Sequence, residues 1–545
     1  MIKYRGNPWV VLIVVSLGFF MTLLDLTIVN IAIPNMIAKL HASLDGILWV
    51  INAYALVLAV LLITAGRLGD LRGQRRLFII GVALFTAASA ACGFSPTVGW
   101  LIAFRTIQGI GAALLMPQTL AILTMVFPAE RRGAAFGIWG AVAGVATIAG
   151  PTLGGLLVTA FDWRYIFFIN LPIGIAVIVL GLLLIPDIRT GTEHRLDVPG
   201  VVLASLALLA ICYGLVEGQK YNWGKITSII SIPLVIGVGV VLLVIFLFVQ
   251  ARTQDREPLV PFGLFRDRNF SLMNWMSGAI AIGMMGIFLP LTIYLQSALG
   301  FSALKAGLAM APASLVSMFV APVAGRLTDK IGGKFILFTG ILMFAGGMGW
   351  LAAIATPTST WPDFVPALAV AGFGMGCTFA PMTTTAMRSV QPRLAGAASG
   401  MLNTTRQVGA VVGTAAVGAL LQNRLTASLP AAARVRDGVL PPQVRGQFVS
   451  GFAKAAQSGA AVGQGGSHFR LPPGTPSSVV ATIGRIAREA FSFGYVTAMH
   501  QTMIMPIAVL GVAALSCLAI KRVVTDAHPA PAQDAPQPEA SQAPA

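Results

Sequence analysis

Apolar residues run through this chain in blocks of roughly 20 to 25, the length that crosses a bilayer as a helix, with short Gly-, Pro- and Arg-rich clusters between them. The blocks lie near residues 9–33, 47–66, 77–94, 100–122, 133–159 and 165–186, then 198–217, 227–249, 270–298, 304–325, 335–356, 363–386, 396–421 and 497–519. A stretch such as Val240 to Val249 is apolar on every side, whereas a membrane barrel strand alternates apolar and polar positions. The pattern predicts an all-α polytopic membrane protein with fourteen spans. Trp9, Trp49, Trp100, Trp163, Trp223 and Trp361 fall at block ends, where interfacial aromatics belong.

Composition sharpens this reading. Of 545 residues, 56% are apolar and 10% charged, and the mean hydropathy is +0.83, which excludes a soluble globular chain. The net charge of +17 points to nucleic acid only until its placement is read. With the N-terminus inside, the inner segments carry 21 Lys and Arg, against five (Lys39, Arg164, Lys220, Lys225, Lys305) in the short outer ones. Both termini are therefore expected in the cytoplasm, and no nucleic-acid partner is implied. Lys3 and Arg5 precede an apolar run that continues past residue 30 without a cleavage site, so it reads as the first span.

Cys92, Cys212, Cys377 and Cys517 are scattered, with no CxxC pair or histidine cluster, so no metal is expected. No GxxxxGK[ST] or HExxH pattern occurs, which argues against ATP hydrolysis or a membrane enzyme and leaves the proton gradient as driving force, with no cofactor. Residues 422–495 are too polar to span and read as a long outer loop, with a surface helix from Ala481 to Tyr495. The Pro-, Ala- and Gln-rich tail, 522–545, is expected to be disordered.

Gly66, Arg67, Leu68, Gly69, Asp70, Leu71, Arg72, Gly73, Gln74 and Arg75 form an inner loop between spans two and three. A weaker copy, Gly325, Arg326, Leu327, Asp329, Lys330, Gly333 and Lys334, lies between spans ten and eleven, so the chain is two related halves. The first segment resembles the loop motif of the major facilitator superfamily. Arg105, Gln108, Gly109, Gly111 and Ala112 resemble its fourth-helix motif, and Gly144, Gly150, Pro151, Gly154 and Gly155 its antiporter motif. Leu24, Asp25, Thr27, Asn30, Ala32 and Pro34, with Trp163, Arg164, Phe167, Asn170, Pro172 and Gly174, resemble the fourteen-helix EmrB/QacA-type drug:proton antiporters. So do Phe265, Arg266 and Phe270, then Tyr294, Leu295 and Gln296, then Asn403, Arg406, Gln407 and Gly409. The resemblance implies two six-helix bundles, 1–186 and 269–521, with two extra helices and linkers in 187–268. It also implies export of lipophilic, cationic or neutral drugs from the bacterial cell membrane in exchange for protons. Export of one endogenous metabolite by the same fold stays open, as does a periplasmic adaptor or cell-wall partner docking on 422–495.

Intramembrane charge is costly and must line a cavity or be paired. Asp25 lies about 16 residues beyond Trp9, roughly 24 Å from the inner surface at 1.5 Å per residue, and Arg105 lies roughly 8 Å below the outer one. The two share a depth. By the resemblance, Asp25 is the proton-coupling acid and Arg105 its partner; by the residues alone, each can instead be a structural tie between helices. Asn30, Gln108, Asn403 and Arg406 are the remaining polar candidates for the cavity, with Arg406 near mid-membrane and facing the same cavity as Asp25. Gly66, Asp70, Arg72, Arg75 and Asp329 are candidates for a gate between the halves, against plain positive-inside anchoring for the arginines. The span-five glycines permit close helix packing.

Overall fold

Several of the long helices start where a side chain can take up amides that the first turn leaves free. Asn7 Oδ1 accepts the Trp9 amide at 3.0 Å and Pro8, which has no amide, opens α1 (Pro8–Leu40). Asp197, Ser231, Asp267 and Ser302 do the same for α8 (Val198–Glu217), α9 (Ile232–Arg252), α10 (Arg268–Ile293) and α11 (Ala303–Ile331). The computed structural model describes residues 6–521 apart from 43, 188–196, 219, 222, 255–257, 437, 439, 441 and 458–476; the tail 522–545 lies outside the described residues.

The other elements are α2 (Leu44–Arg72), α3 (Gln74–Gly93), α4 (Val98–Val126), α5 (Arg132–Ala160), α6 (Tyr165–Phe168) leading into α7 (Asn170–Leu184), α12 (Lys334–Ile354), α13 (Trp361–Met387), α14 (Ala395–Arg436), α15 (Pro442–Gln457) and α16 (Ser477–Cys517). Among the described residues, thirteen helical stretches, α6 and α7 counting as one, are long and apolar enough to cross a membrane. With α5, a further apolar helix of 29 residues, they make the fourteen crossings that the hydropathy pattern predicts. Among the described residues the extended structure is a single antiparallel bridge, Lys225 to Ser231. It occupies the turn before α9, which therefore begins at Ile232, later than the expected 227.

The helices gather in two groups. In the first, α3 packs on α4 and α7, α4 on α2, and α1 on α5 and α7. In the second, α10 packs on α14 and α16, and α13 on α11 and α12. The groups join chiefly through α5 with α11 and α2 with α14, with further contacts of α13 on α5 and α14 on α4. The α8–α9 pair sits at the side, with α8 against α2 and α14; Leu234, Val238, Val241, Val244 and Phe248 of α9 are exposed, as a lipid-facing surface requires.

The outer segment 422–495 departs from the expected loop. Its described part is mostly helical: α14 runs on to Arg436, α15 follows, and α16 begins at Ser477, so that Ala481 to Tyr495 belongs to one helix continuous with the last span. Leu425, Leu429 and Ala433 recur at four-residue spacing and bury themselves with Phe448, Phe452, Ile483, Ile486 and Ala490. The segment thus extends the buried apolar cluster of the bundles, diluted by alanine and glycine below the hydropathy of a span.

Candidate functional site

A buried polar cluster lies inside the first bundle. Asp25 of α1 and Arg105 of α4 are both fully buried, and Arg105 Nη1 donates to Asp25 Oδ2. Nη1 also reaches Gln108 Oε1 at 2.9 Å, and Nε donates to the Val50 carbonyl of α2 at 3.1 Å. The guanidinium lies over the Tyr54 ring, 4.2 Å from its centroid. Gln108 Nε2 donates to Asp25 Oδ1 at 3.0 Å, and Asn170 Nδ2 reaches the same oxygen at 3.4 Å and Ser89 Oγ at 3.1 Å.

The sequence builds this cluster through spacing and small residues. Arg105, Gln108 and Gly109 fall on one face of α4, and a Cβ at Gly109 would stand 2.9 Å from the Tyr54 carbonyl oxygen. Only so close an approach of α4 to α2 brings the guanidinium to Val50. A charge pair sealed from water is held by such hydrogen bonds, and removing one partner costs about 3–5 kcal/mol. Ser89 and Tyr54, and Asn170 as a partner of Asp25, join the site only in the structure; their signal in the sequence is a polar side chain within an apolar run.

The structure separates the other candidates from this pair. Asn30 is exposed and donates to the Leu26 carbonyl of its own helix at 3.1 Å. Arg406, expected to share the cavity of Asp25, instead lies where the two groups meet. Its Nη2 donates to Asn403 Oδ1 at 2.7 Å, Asn403 donates to the Ser399 carbonyl at 2.9 Å, and Ser399 Oγ donates to the Pro117 carbonyl of α4 at 2.9 Å. A cavity of about 20 Å³ there is lined by Leu120 and Trp139 of the first group and by Phe379, Met382, Asn403 and Arg406 of the second. Among the described residues, no ion pair to Arg406 is found.

The face that carries both chain ends is closed by two matching caps. Asp70, near the end of α2, accepts the Gly396 and Ala397 amides at the start of α14, both at 2.7 Å. Asp329, near the end of α11, accepts the Gly133 and Ala134 amides at the start of α5, at 2.8 and 3.0 Å. Each carboxylate meets a helix N-terminus across the joint, where free amides and the helix dipole favour negative charge. Glycines let the backbones touch: a Cβ at Gly66 would run into the Gly396 carbonyl, and one at Gly325 into that of Gly133. Arg132, which the sequence did not flag, adds a bond from Nη1 to the Met387 carbonyl across the joint at 3.1 Å. Arg72 and Arg75 are placed elsewhere, beside Leu182 of α7.

The antiporter-motif glycines divide between two partners. Gly150 and Gly154 face Thr27 and Ile28 of α1, next to Asp25, while Gly144 faces the Ser314 carbonyl of α11 and Gly155 lies 3.8 Å, as a built Cβ, from Leu304. Pro151 lies within α5. One helix therefore touches both the helix of the buried acid and the opposite bundle. At the other face, burial pushes the Asp162 carboxyl up, but the hydrogen bond and charge of Lys39 (3.0 Å), with the charge of Arg164, outweigh it and leave it below its ordinary value.

Residues 15–414 match the model of the Major Facilitator Superfamily. The tetracenomycin C resistance and export protein of Streptomyces glaucescens is 32% identical over 533 residues, covering 96% of this chain and 93% of that protein. The multidrug export protein EmrB of Escherichia coli is 33% identical over 423 residues, covering 76% and 80%. The human organic anion transporter MFSD10 shares the fold, with a TM-score of 0.54 at 13% identity over 92% of this chain and 99% of that one. A fourteen-crossing chain with paired halves and these relatives is a transporter, not an enzyme, and it belongs to the Major Facilitator Superfamily, among the EmrB/QacA-type proteins.

Proposed function

We propose that this protein exports lipophilic drugs or toxic compounds from a bacterial cell across its inner membrane in exchange for protons, with both termini in the cytoplasm. The observation that carries the reading is the separation of two sites joined by one helix. Asp25 is sealed with Arg105 inside the first bundle, Arg406 stands in the joint, and α5 packs on α1 with one set of glycines and on α11 with another. The proton and the substrate therefore need not compete for one group; they bias the same movement of α5. In this reading the closed inner face and intact ion pair belong to the deprotonated carrier turned outward. A proton arriving from outside neutralises Asp25, loosens its hold on Arg105 and lets α1 shift against Gly150 and Gly154. The caps at Asp70 and Asp329 then open inward.

The joint also narrows the substrate class. The sequence favoured monocations or neutral lipophiles; a guanidinium in the cavity repels the first and suits neutral lipophiles with acceptor oxygens. Inverted vesicles energised to an acid interior test both points. Adding tetracenomycin C is expected to dissipate part of the pH gradient, and Arg406→Gln is expected to raise its KM about tenfold or more, the worth of a charged hydrogen bond. A gradient indifferent to substrate would refute proton exchange; an unchanged KM would remove Arg406 from the substrate site.

A further inference from the structure

On the face that carries both chain ends, away from the joint between the bundles, the start of α3 and the end of α7 enclose a cavity of about 330 Å³. Its polar rim is Arg72, Arg75 and Arg76 with Asp187, three guanidinium groups against one carboxylate, and its floor is Ile79, Ile80 and Leu182. Arg75 Nη2 donates to the Leu182 carbonyl at 2.5 Å, which fixes that guanidinium across the gap between the two helices. No side chain caps α3, whose preceding residue is Gly73 at φ +94°. Ile80 and Leu182 are 47% and 52% exposed, which continues the floor outward along the bilayer-facing surface.

Plain positive-inside anchoring needs basic residues at this depth but no concavity, and a soluble anion needs no apolar floor. We propose that this cavity binds the phosphate headgroup of an anionic phospholipid of the cytoplasmic leaflet, with an acyl chain along Ile79, Ile80 and Leu182. The site bears on the carrier's state through α2. Arg72 ends that helix two residues after Asp70, the carboxylate that caps α14, and Gln74 Nε2 donates to Asp70 Oδ1 at 3.0 Å. A headgroup on Arg72 and Arg76 holds this turn in the form that closes the inner face.

The full-length protein in nanodiscs of equal phosphatidylglycerol and phosphatidylcholine, read by native mass spectrometry, tests the proposal. The wild type is expected to retain phosphatidylglycerol over phosphatidylcholine by about 25-fold or more, and Arg72→Gln with Arg76→Gln to remove about 25-fold of that preference, at roughly fivefold per basic group. Equal retention of the two lipids by the wild type overturns the site without recourse to any variant. Displacement of the bound lipid by millimolar inorganic phosphate also overturns it, assigning the cavity to a soluble anion.

Discussion

Asp25→Asn is expected to abolish gradient-driven efflux, by at least about a hundredfold, while leaving substrate binding and substrate-for-substrate exchange in place. The reason is geometric. The carboxylate is enclosed by Arg105, Gln108 and Asn170 inside the first bundle, and the cavity at Arg406, where we propose that substrate binds, is elsewhere. An amide cannot take or release the coupling proton, but it still accepts from Gln108 and Asn170. It also leaves Arg105 buried without its counter-charge, beside the Val50 carbonyl, Gln108 and the Tyr54 and Phe167 rings, at a cost of about 3–5 kcal/mol. The single variant is therefore less stable than the wild type. Asp25→Asn with Arg105→Gln should recover much of that stability and none of the coupling. Tetracenomycin C efflux with and without a protonophore, at matched expression, reads the result. Protonophore-sensitive efflux at the wild-type rate in Asp25→Asn would remove this residue from the mechanism.

Gly133→Val is expected to hold the carrier open at its inner face. Any Cβ at 133 collides with the Gly325 carbonyl and the Asp329 carboxylate, and these atoms are backbone or engaged in the cap, so they cannot step aside cheaply. Overpacking of this kind costs roughly 1–3 kcal/mol, which multiplies the open-to-closed ratio by about five to a hundred and fifty. Export should fall at least about fivefold with substrate binding retained. A cysteine placed at Met387, against which Arg132 closes, should react faster with an inside-applied thiol reagent in the variant than in the wild type. Asp329→Asn should move both readouts in the same direction but less, since it removes cap charge worth about 1 kcal/mol. Unchanged labelling and unchanged export in Gly133→Val would mean that this contact does not form the closed state.

The sequence made the fourteen crossings legible because crossing a bilayer is a one-dimensional requirement: about 20 consecutive apolar residues, with basic residues held on one side. It also exposed the paired loops at Gly66 and Gly325, because a carboxylate among glycines and basic residues stands out twice. The depth match of Asp25 with Arg105 came from residue rise alone, and the two side chains do meet. The outer segment was read as a loop because its small helix formers lie below the hydropathy of a span, although the four-residue recurrence of Leu425, Leu429 and Ala433 was there to be read.

What periodicity could not decide is which helix face meets which neighbour. Arg406 and Asp25 are each a charged residue in an apolar run, yet one stands at the joint and the other inside a bundle, because rotation about the helix axis is fixed only by packing. Arg72 and Asp70 are two residues apart on α2, and that spacing turns one toward α14 and the other toward α3 and α7. Sequence by itself determined the crossings, the repeat and the membrane placement of charge, since these depend on the local free energy of transfer into lipid. Tertiary structure alone decided the caps across the joint, the separation of Asp25 from Arg406, and the basic cavity beside α7, since each depends on contacts between residues far apart in the chain.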